Sequence, residues 1–226
     1  MLINAPPGVT DAASIEAAWA SSSSRGTACP NGQEAEFCAG FALALEVAQA
    51  LDCPRTHLMA GVLPEGVERE TLQPPYLANL RHAAAAAAQA GIDMLIEPIN
   101  TRDIPRYFLN RQDHAHKIIR QVGAANLKVQ MDTYHCQVVE GDLATKLRQY
   151  LPTGSVGHLQ IAGAPGRHEP DVGEVNYAYL FALLGELGYS GWIGCEYKPW
   201  RGLAPGVTSA WLARRSPARN AAKPPH

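Results

Sequence analysis

Paired cysteines, glycine-rich nucleotide loops, long apolar runs and an excess of either charge are all missing from this 226-residue sequence. The cysteines Cys29, Cys38, Cys53, Cys136 and Cys195 are odd in number and far apart, with no C-x-x-C pair. That argues against a disulfide framework or a structural zinc site and favours reduced thiols in a cytosol. No apolar stretch approaches the ~20 residues that span a bilayer. The amino end, MLINAPPGVT, has neither the basic start nor the apolar core of a secretory peptide. A soluble, cytoplasmic protein is therefore expected, with no membrane partner. A formal net charge of −2 sets up no field for a polyanion, so nucleic acid is not an expected partner either. No G-x-G-x-x-G or P-loop pattern announces a nucleotide.

What is present is an alternation. Short apolar, β-branched runs at Leu2–Asn4, Thr56–Ala60, Met94–Pro98, Leu127–Met131, Val156–Ile161 and Trp192–Glu196 read as strands. Segments of helical period at Glu34–Leu51, Pro75–Ala90, Gln112–Val122, Leu143–Tyr150 and Tyr177–Leu187, with a shorter one near Thr208–Arg214, read as helices. Gly91, Gly123 and Gly188 stand where a helix closes in a left-handed residue, and Asp142 and Asn176 are candidate N-caps. Repeated βα units imply a parallel sheet covered by helices. The run Ala83–Ala88 is good helix former, whereas Ser21–Ser24 reads as a flexible loop without chemistry. The domain is expected to span residues 1–215, and the basic tail 216–226 is expected to be disordered.

Four of these strands end on an oxygen-bearing side chain: Glu97 after MLI, Asp132 after KVQM, Gln160 after VGHL and Glu196 after WIGC. A single acid at a strand end is more often an N-cap or a surface charge. These four recur about one βα unit (~30 residues) apart. On parallel neighbouring strands their side chains converge on one rim, where barrel enzymes place their sites. Carboxylates crowded in this way repel unless a cation neutralises them, and an all-oxygen set suits Mg²⁺ or Mn²⁺. A nucleophilic Cys136 or Cys195 is disfavoured, because adjacent strand residues point to opposite faces.

The stretches EPINTR (Glu97–Arg102), QMDTYH (Gln130–His135), GHLQIAGAPGRHEP (Gly157–Pro170), EVNY (Glu174–Tyr177) and GCEYKP (Gly194–Pro199) resemble the hydroxypyruvate isomerases, members of the xylose-isomerase-like barrel superfamily. RGTACPNGQEAEF (Arg25–Phe37) and CPRTHLMAG (Cys53–Gly61) extend the resemblance over about the first 200 residues. It implies a divalent metal held by Glu97, Asp132, Gln160 and Glu196, with Glu97 and Glu196 also the catalytic proton donor and acceptor. The implied reaction interconverts hydroxypyruvate and tartronate semialdehyde through an enediolate, with no organic cofactor. A small hydroxy- or oxo-acid substrate needs a counter-charge, for which Arg167 is the candidate, and His135 is placed to hydrogen-bond a substrate hydroxyl. Glu169 and Glu174 are read as ordering Arg167 or a partner subunit's loop.

The family pattern ordinarily begins with two further βα units. The expected fold is therefore an α/β, (β/α) TIM-type barrel of parallel strands, incomplete at about six of eight βα units. Two readings follow: an active isomerase, which pairs with another copy as a homo-oligomer or is part of a fuller barrel, or a truncated, inactive metal-binding remnant. Within the enzyme reading, another small keto-sugar or oxo-acid is the alternative substrate.

Overall fold

A computed structural model describes residues 3–4, 25–30 and 32–202. Among these residues six strands, β1 (Ile3–Asn4), β2 (Arg55–His57), β3 (Asp93–Ile96), β4 (Leu127–Asp132), β5 (Val156–Ile161) and β6 (Ile193–Cys195), form one sheet in sequence order. Every pairing is parallel. Among the described residues six α-helices accompany them: α1 (Glu34–Ala50), α2 (Arg69–Gln89), α3 (Gln112–Val122), α4 (Thr133–Val139), α5 (Leu143–Tyr150) and α6 (Tyr177–Glu186). Among the described residues no pairing joins β6 to β1, so the arrangement is the incomplete barrel expected from the sequence.

The period of two along each strand sorts the side chains. Met94, Ile96 and Val129 enter a core shared with α1, α2 and α3, while Met131, Leu159 and Ile161 enter a second one with α5 and α6. Alternation turns His57, Glu97, Gln130, Asp132, Gln160 and Glu196 to the opposite face. The register steps them around the rim: Glu97 follows Ile96, the partner of Val129, and so stands level with Gln130, while Asp132 pairs with Gln160 and Gln160 with Gly194, two residues before Glu196. The strand ends thus present one row of polar side chains at one rim.

Helix ends follow local chemistry. Gly91, Gly123 and Gly188 adopt φ of 68°, 75° and 70°, closing α2, α3 and α6 as the sequence suggests. Asn176 accepts a hydrogen bond from the Tyr179 amide at 3.1 Å and caps α6. Asp142 does not cap α5 through its side chain: its backbone is left-handed at φ 49°, and no side-chain cap bond forms. Helix α2 starts at Arg69 rather than Pro75, carrying Pro74 and Pro75 inside it. Tertiary packing of Leu72 and Tyr76 holds the turn that the prolines weaken. Helix α4 and a 3₁₀ turn at Leu151–Thr153 were not expected from the pattern. The expected features at Leu2, Ser21–Ser24, Thr208–Arg214 and 216–226 lie outside the described residues. No helix among those described is long and apolar enough to cross a membrane.

Candidate active site

At the carboxyl ends of β2 to β6 the rim encloses a cavity of about 170 Å³ lined by His57, Met59, Glu97, Ile99, Ile104, Gln130, His135, Gln160, Arg167 and Glu196. Met59, Ile99 and Ile104 give it apolar lining, and the rest is polar. Within it, ligand-capable atoms of Glu97, Asp132 and His135 all lie within 4.8 Å of one another, and all three residues are buried.

Asp132 serves two purposes. Its Oδ1 accepts the Tyr134 amide hydrogen at 2.7 Å and caps α4. Its Oδ2 faces the site, 3.7 Å from His135 Nε2 and 4.0 Å from Arg167 Nη2. The N-cap and site readings of a strand-end acid are thus both realised, one oxygen each. Burial raises the Asp132 pKa, Arg167 opposes that rise, and Glu196 adds to it. Glu97 is pushed well above the carboxylate range by burial, then by the charges of Asp132 and Glu196. Its Oε2 is 3.6 Å from His57 Nε2, and its Oε1 is 3.9 Å from His135 Nε2. Glu196 lies at the outer edge of the group, with its side chain 49% exposed and Oε2 held by Arg167 Nη2 at 3.1 Å. Gln160 accepts a hydrogen bond at its Oε1 from Gln130 Nε2 at 2.5 Å.

The loop after β5 delivers Arg167 over this group. It is closed by Gly163 donating to the His168 carbonyl and by Glu174 donating to the Ala164 carbonyl, both at 2.8 Å. Gly173 is required there: at φ 106° a Cβ would strike the Ala164 carbonyl. Arg167 itself has φ 56°, and the Lys198 amide donates to its carbonyl at 2.7 Å. The guanidinium lies between Asp103 Oδ2 at 3.6 Å, Asp132 and Glu196, with the Tyr134 ring centroid 5.1 Å away. Tyr134 in turn donates to Asp103 at 2.8 Å and accepts from Arg102 at 3.0 Å. This Arg102–Tyr134–Asp103 chain braces Arg167.

His135 is held by Asn100, whose amide nitrogen is 2.6 Å from Nδ1 and whose backbone nitrogen donates to the same atom at 3.4 Å. Since Nδ1 accepts, the ring proton sits on Nε2, which points at Glu97 and Asp132 as a donor. Burial, then the charge of Arg167, lowers the His135 pKa to about 3, so the ring is neutral. His135 Nε2 faces Glu97 Oε1 at 3.9 Å and Asp132 Oδ2 at 3.7 Å, too far for a hydrogen bond to either. Burial likewise lowers His57 to about 4.

The residues fit a divalent cation. Glu97 Oε1 and Asp132 Oδ2 are buried without a hydrogen-bond partner, an arrangement that is costly for carboxylate oxygens unless an ion or a proton satisfies them. Oxygen donors on adjacent strand ends match a hard cation.

Other expectations sort differently. Glu169 is buried but does not order Arg167; it accepts from the backbone amides of Trp200 and Arg201 at 3.2 and 3.1 Å, tying the loop to the segment after β6. Glu174 takes a bond from Gln137 at 3.1 Å. His168 stacks on Trp200 with centroids 5.3 Å apart. All five cysteines are free, and burial pushes the Cys136 thiol up to about 12, which removes it as a nucleophile. His135 and Cys136 sit in α4, so strand alternation is not what separates them. Sequence reasoning passed over His57, Asn100, Asp103 and Gln130. The signal available was their parity with Glu97 and Asp132 or their place in the loop just after Glu97.

Comparison with known proteins agrees with this geometry. Residues 9–214 match the family model described as Xylose isomerase-like TIM barrel. A 2-oxo-tetronate isomerase of Cupriavidus necator is 52% identical over 211 residues, covering 93% of this chain and 76% of that protein. A hydroxypyruvate isomerase of Escherichia coli K12 is 44% identical over 181 residues, covering 80% of this chain and 69% of its own length. Among solved structures, one titled AP endonuclease, family 2, from Brucella melitensis superposes with a TM-score of 0.84 at 40% identity, covering 96% of this chain and 78% of that one. With a parallel βα sheet, a rim of buried acids and these likenesses over most of its length, the chain belongs to the xylose isomerase-like TIM barrel family.

Proposed function

We propose that this chain is an isomerase of short 2-oxo acids that carry a hydroxyl on the carbon next to the ketone, with hydroxypyruvate and 2-hydroxy-3-oxopropanoate as the interconverted pair. The observation that carries this reading is the buried convergence of Glu97, Asp132 and His135 within 4.8 Å beneath Arg167. An acid substrate requires a cation, and Arg167 offers a forked one braced by Asp103 and Tyr134. Relatives named as isomerases of such acids support the substrate class.

Isomerisation takes a proton from C3, leaves an enediolate, returns a proton to C2 and shifts the hydroxyl proton from the C3 oxygen to the C2 oxygen. Glu97 and Glu196 line the same cavity from β3 and β6 and are the acid/base pair. Burial, then the charges of Asp132 and Glu196, hold Glu97 well above the usual carboxylate range, a perturbation of the kind found at functional sites. His135 Nε2–H donates to a substrate oxygen. Met59, Ile99 and Ile104 keep water from the reacting carbons. Mg²⁺ or Mn²⁺, held by Glu97, Asp132, Gln160 and Glu196, would supply Lewis acidity toward the substrate oxygens.

A second substrate, 2-oxo-tetronate, shares the same reacting unit with one more carbon, and the 52% identity to the Cupriavidus necator protein favours it. Steady-state rates with each acid, for the parent chain and Arg167→Met, test the proposal. The expected result is metal-dependent turnover of at least one of them, and a KM raised about tenfold or more in the variant, as loss of a charge-assisted pair implies. Equal KM values would show that Arg167 does not hold the substrate carboxylate.

A further inference from the structure

Gln160 is the only uncharged member of the proposed ligand set, and an amide differs from a carboxylate in one respect. Only one of its two ends can bind a cation, and rotation about the last side-chain bond exchanges them. The main chain at Gln160 is fixed, because its carbonyl accepts from Thr133 Oγ1 at 3.1 Å. That bond leaves the side-chain torsion open. What engages the amide is Gln130 on β4, whose Nε2 donates to Gln160 Oε1 at 2.5 Å.

The strand register explains why Gln130 reaches it. Asp132 is the Cα partner of Gln160, and Gln130 lies two residues earlier on the same inward face, a diagonal neighbour. Both amides are buried and both line the cavity. Two facing amides joined by one hydrogen bond must offer nitrogen from one side and oxygen from the other. The buried Gln130 Oε1 has no hydrogen-bond partner, so nitrogen is the end of Gln130 in use, and the oxygen of Gln160 is the end held. A carbonyl oxygen has two lone pairs, and the bond from Gln130 takes one of them. A carboxylate or a leucine at position 130 could not donate.

We propose that Gln130 is a positioning residue that fixes the amide of Gln160 with its oxygen available to a divalent cation. The proposal rests on the metal-dependent reading of the site. Gln130 touches a ligand and need not touch substrate, so its effect belongs to cation affinity.

The test is titration of the metal-free chain with Mn²⁺, free ion being read by electron paramagnetic resonance. Gln130→Met, Gln130→Asn, Gln160→Ala and the Gln130→Met/Gln160→Ala double variant are compared with the parent chain. Thermal melting without metal reports folding separately, and the Asn variant keeps a polar group should Met disturb the core. Removing a partner that orients a ligand weakens binding about 10–100-fold. That loss is expected in Gln130→Met and Gln130→Asn, and it should shrink to under about threefold when Gln160 is already alanine, since coupled residues are non-additive. Unchanged affinity in the single variants, or an equal loss in both backgrounds, overturns the positioning role while the metal site stands. A parent chain that binds no Mn²⁺ overturns the metal reading and this inference together.

Discussion

Asp132 shows how much one side chain can carry. One oxygen ends a strand and starts a helix, and the other is left buried without a hydrogen-bond partner in the site. The two roles separate experimentally. Asp132→Asn retains an Oδ1 able to cap α4 and removes the charge, whereas Asp132→Ala removes both. In chelator, the Asn variant is expected to melt at or above the parent temperature, because a buried charge is relieved. The Ala variant should melt lower than Asn by about 1 kcal/mol of stability, the usual worth of an N-cap. Neither should gain thermal stability on addition of Mn²⁺, while the parent chain should, as any ligand that binds the folded state stabilises it. Scanning calorimetry with and without metal checks all three. At this scale the sequence was informative where chemistry is punctuated: Glu97, Asp132, Gln160 and Glu196 each break an apolar run at its end. Gln130 sits within such a run, in KVQMD, and reads there as one polar residue among others. Its partner becomes visible only once β4 and β5 are in register. Asn100 fixes the His135 tautomer across 35 residues of sequence, a contact that no local pattern encodes.

Elements were legible to the extent that local rules governed them. Helices α3 and α5 and strand β5 have the limits that periodicity suggested, with Gly123 closing α3. Helix α4 was missed because TYHCQVV is rich in β-branched and aromatic residues; its cap from Asp132 and burial of Tyr134 and Cys136 override that weak propensity. The α3–α5 side of the fold also carries a pH signature. His116 in α3 is buried, stacks on Tyr150 with centroids 3.7 Å apart and lies 3.1 Å from Ser155 Oγ. Burial, aided by the charge of Arg120, lowers its pKa from 6.5 to about 4. Above pH 6.5 the ring is neutral whether folded or not. As pH falls from about 6.5 to about 4 the unfolded chain takes the proton first, and stability is lost; below about 4 this group costs nothing further. The loss is on the order of 1–3 kcal/mol. His57 and His135, also lowered by burial, add to the same slope. Denaturant unfolding of His116→Phe, which keeps an aromatic ring against Tyr150, is therefore expected to show a shallower decline between pH 6.5 and 4 than the parent chain. An identical decline would mean that His116 is not buried as a neutral group.

At the scale of the molecule, a parallel sheet in sequence order gathers acids from distant parts of the chain onto one rim without any of them being neighbours in sequence. That much follows from the βα alternation and the strand-end residues alone, since parallel strands in order leave their carboxyl ends on one side. What the alternation does not specify is how far each acid leans inward. Glu97 and Asp132 are buried together, whereas Glu196, just after β6 and two residues beyond the partner of Gln160, sits farther out against Arg167. The central claim, that these carboxyl groups move a proton on a hydroxylated 2-oxo acid, is most directly tested by proton NMR of hydroxypyruvate in D₂O with the folded chain and Mg²⁺ or Mn²⁺. The predicted result is deuterium incorporation at C3 and conversion to the aldehyde isomer, abolished by chelator and by Glu97→Gln. A folded, metal-loaded chain that leaves C3 unexchanged, or exchange that persists at the parent rate in Glu97→Gln, would contradict it.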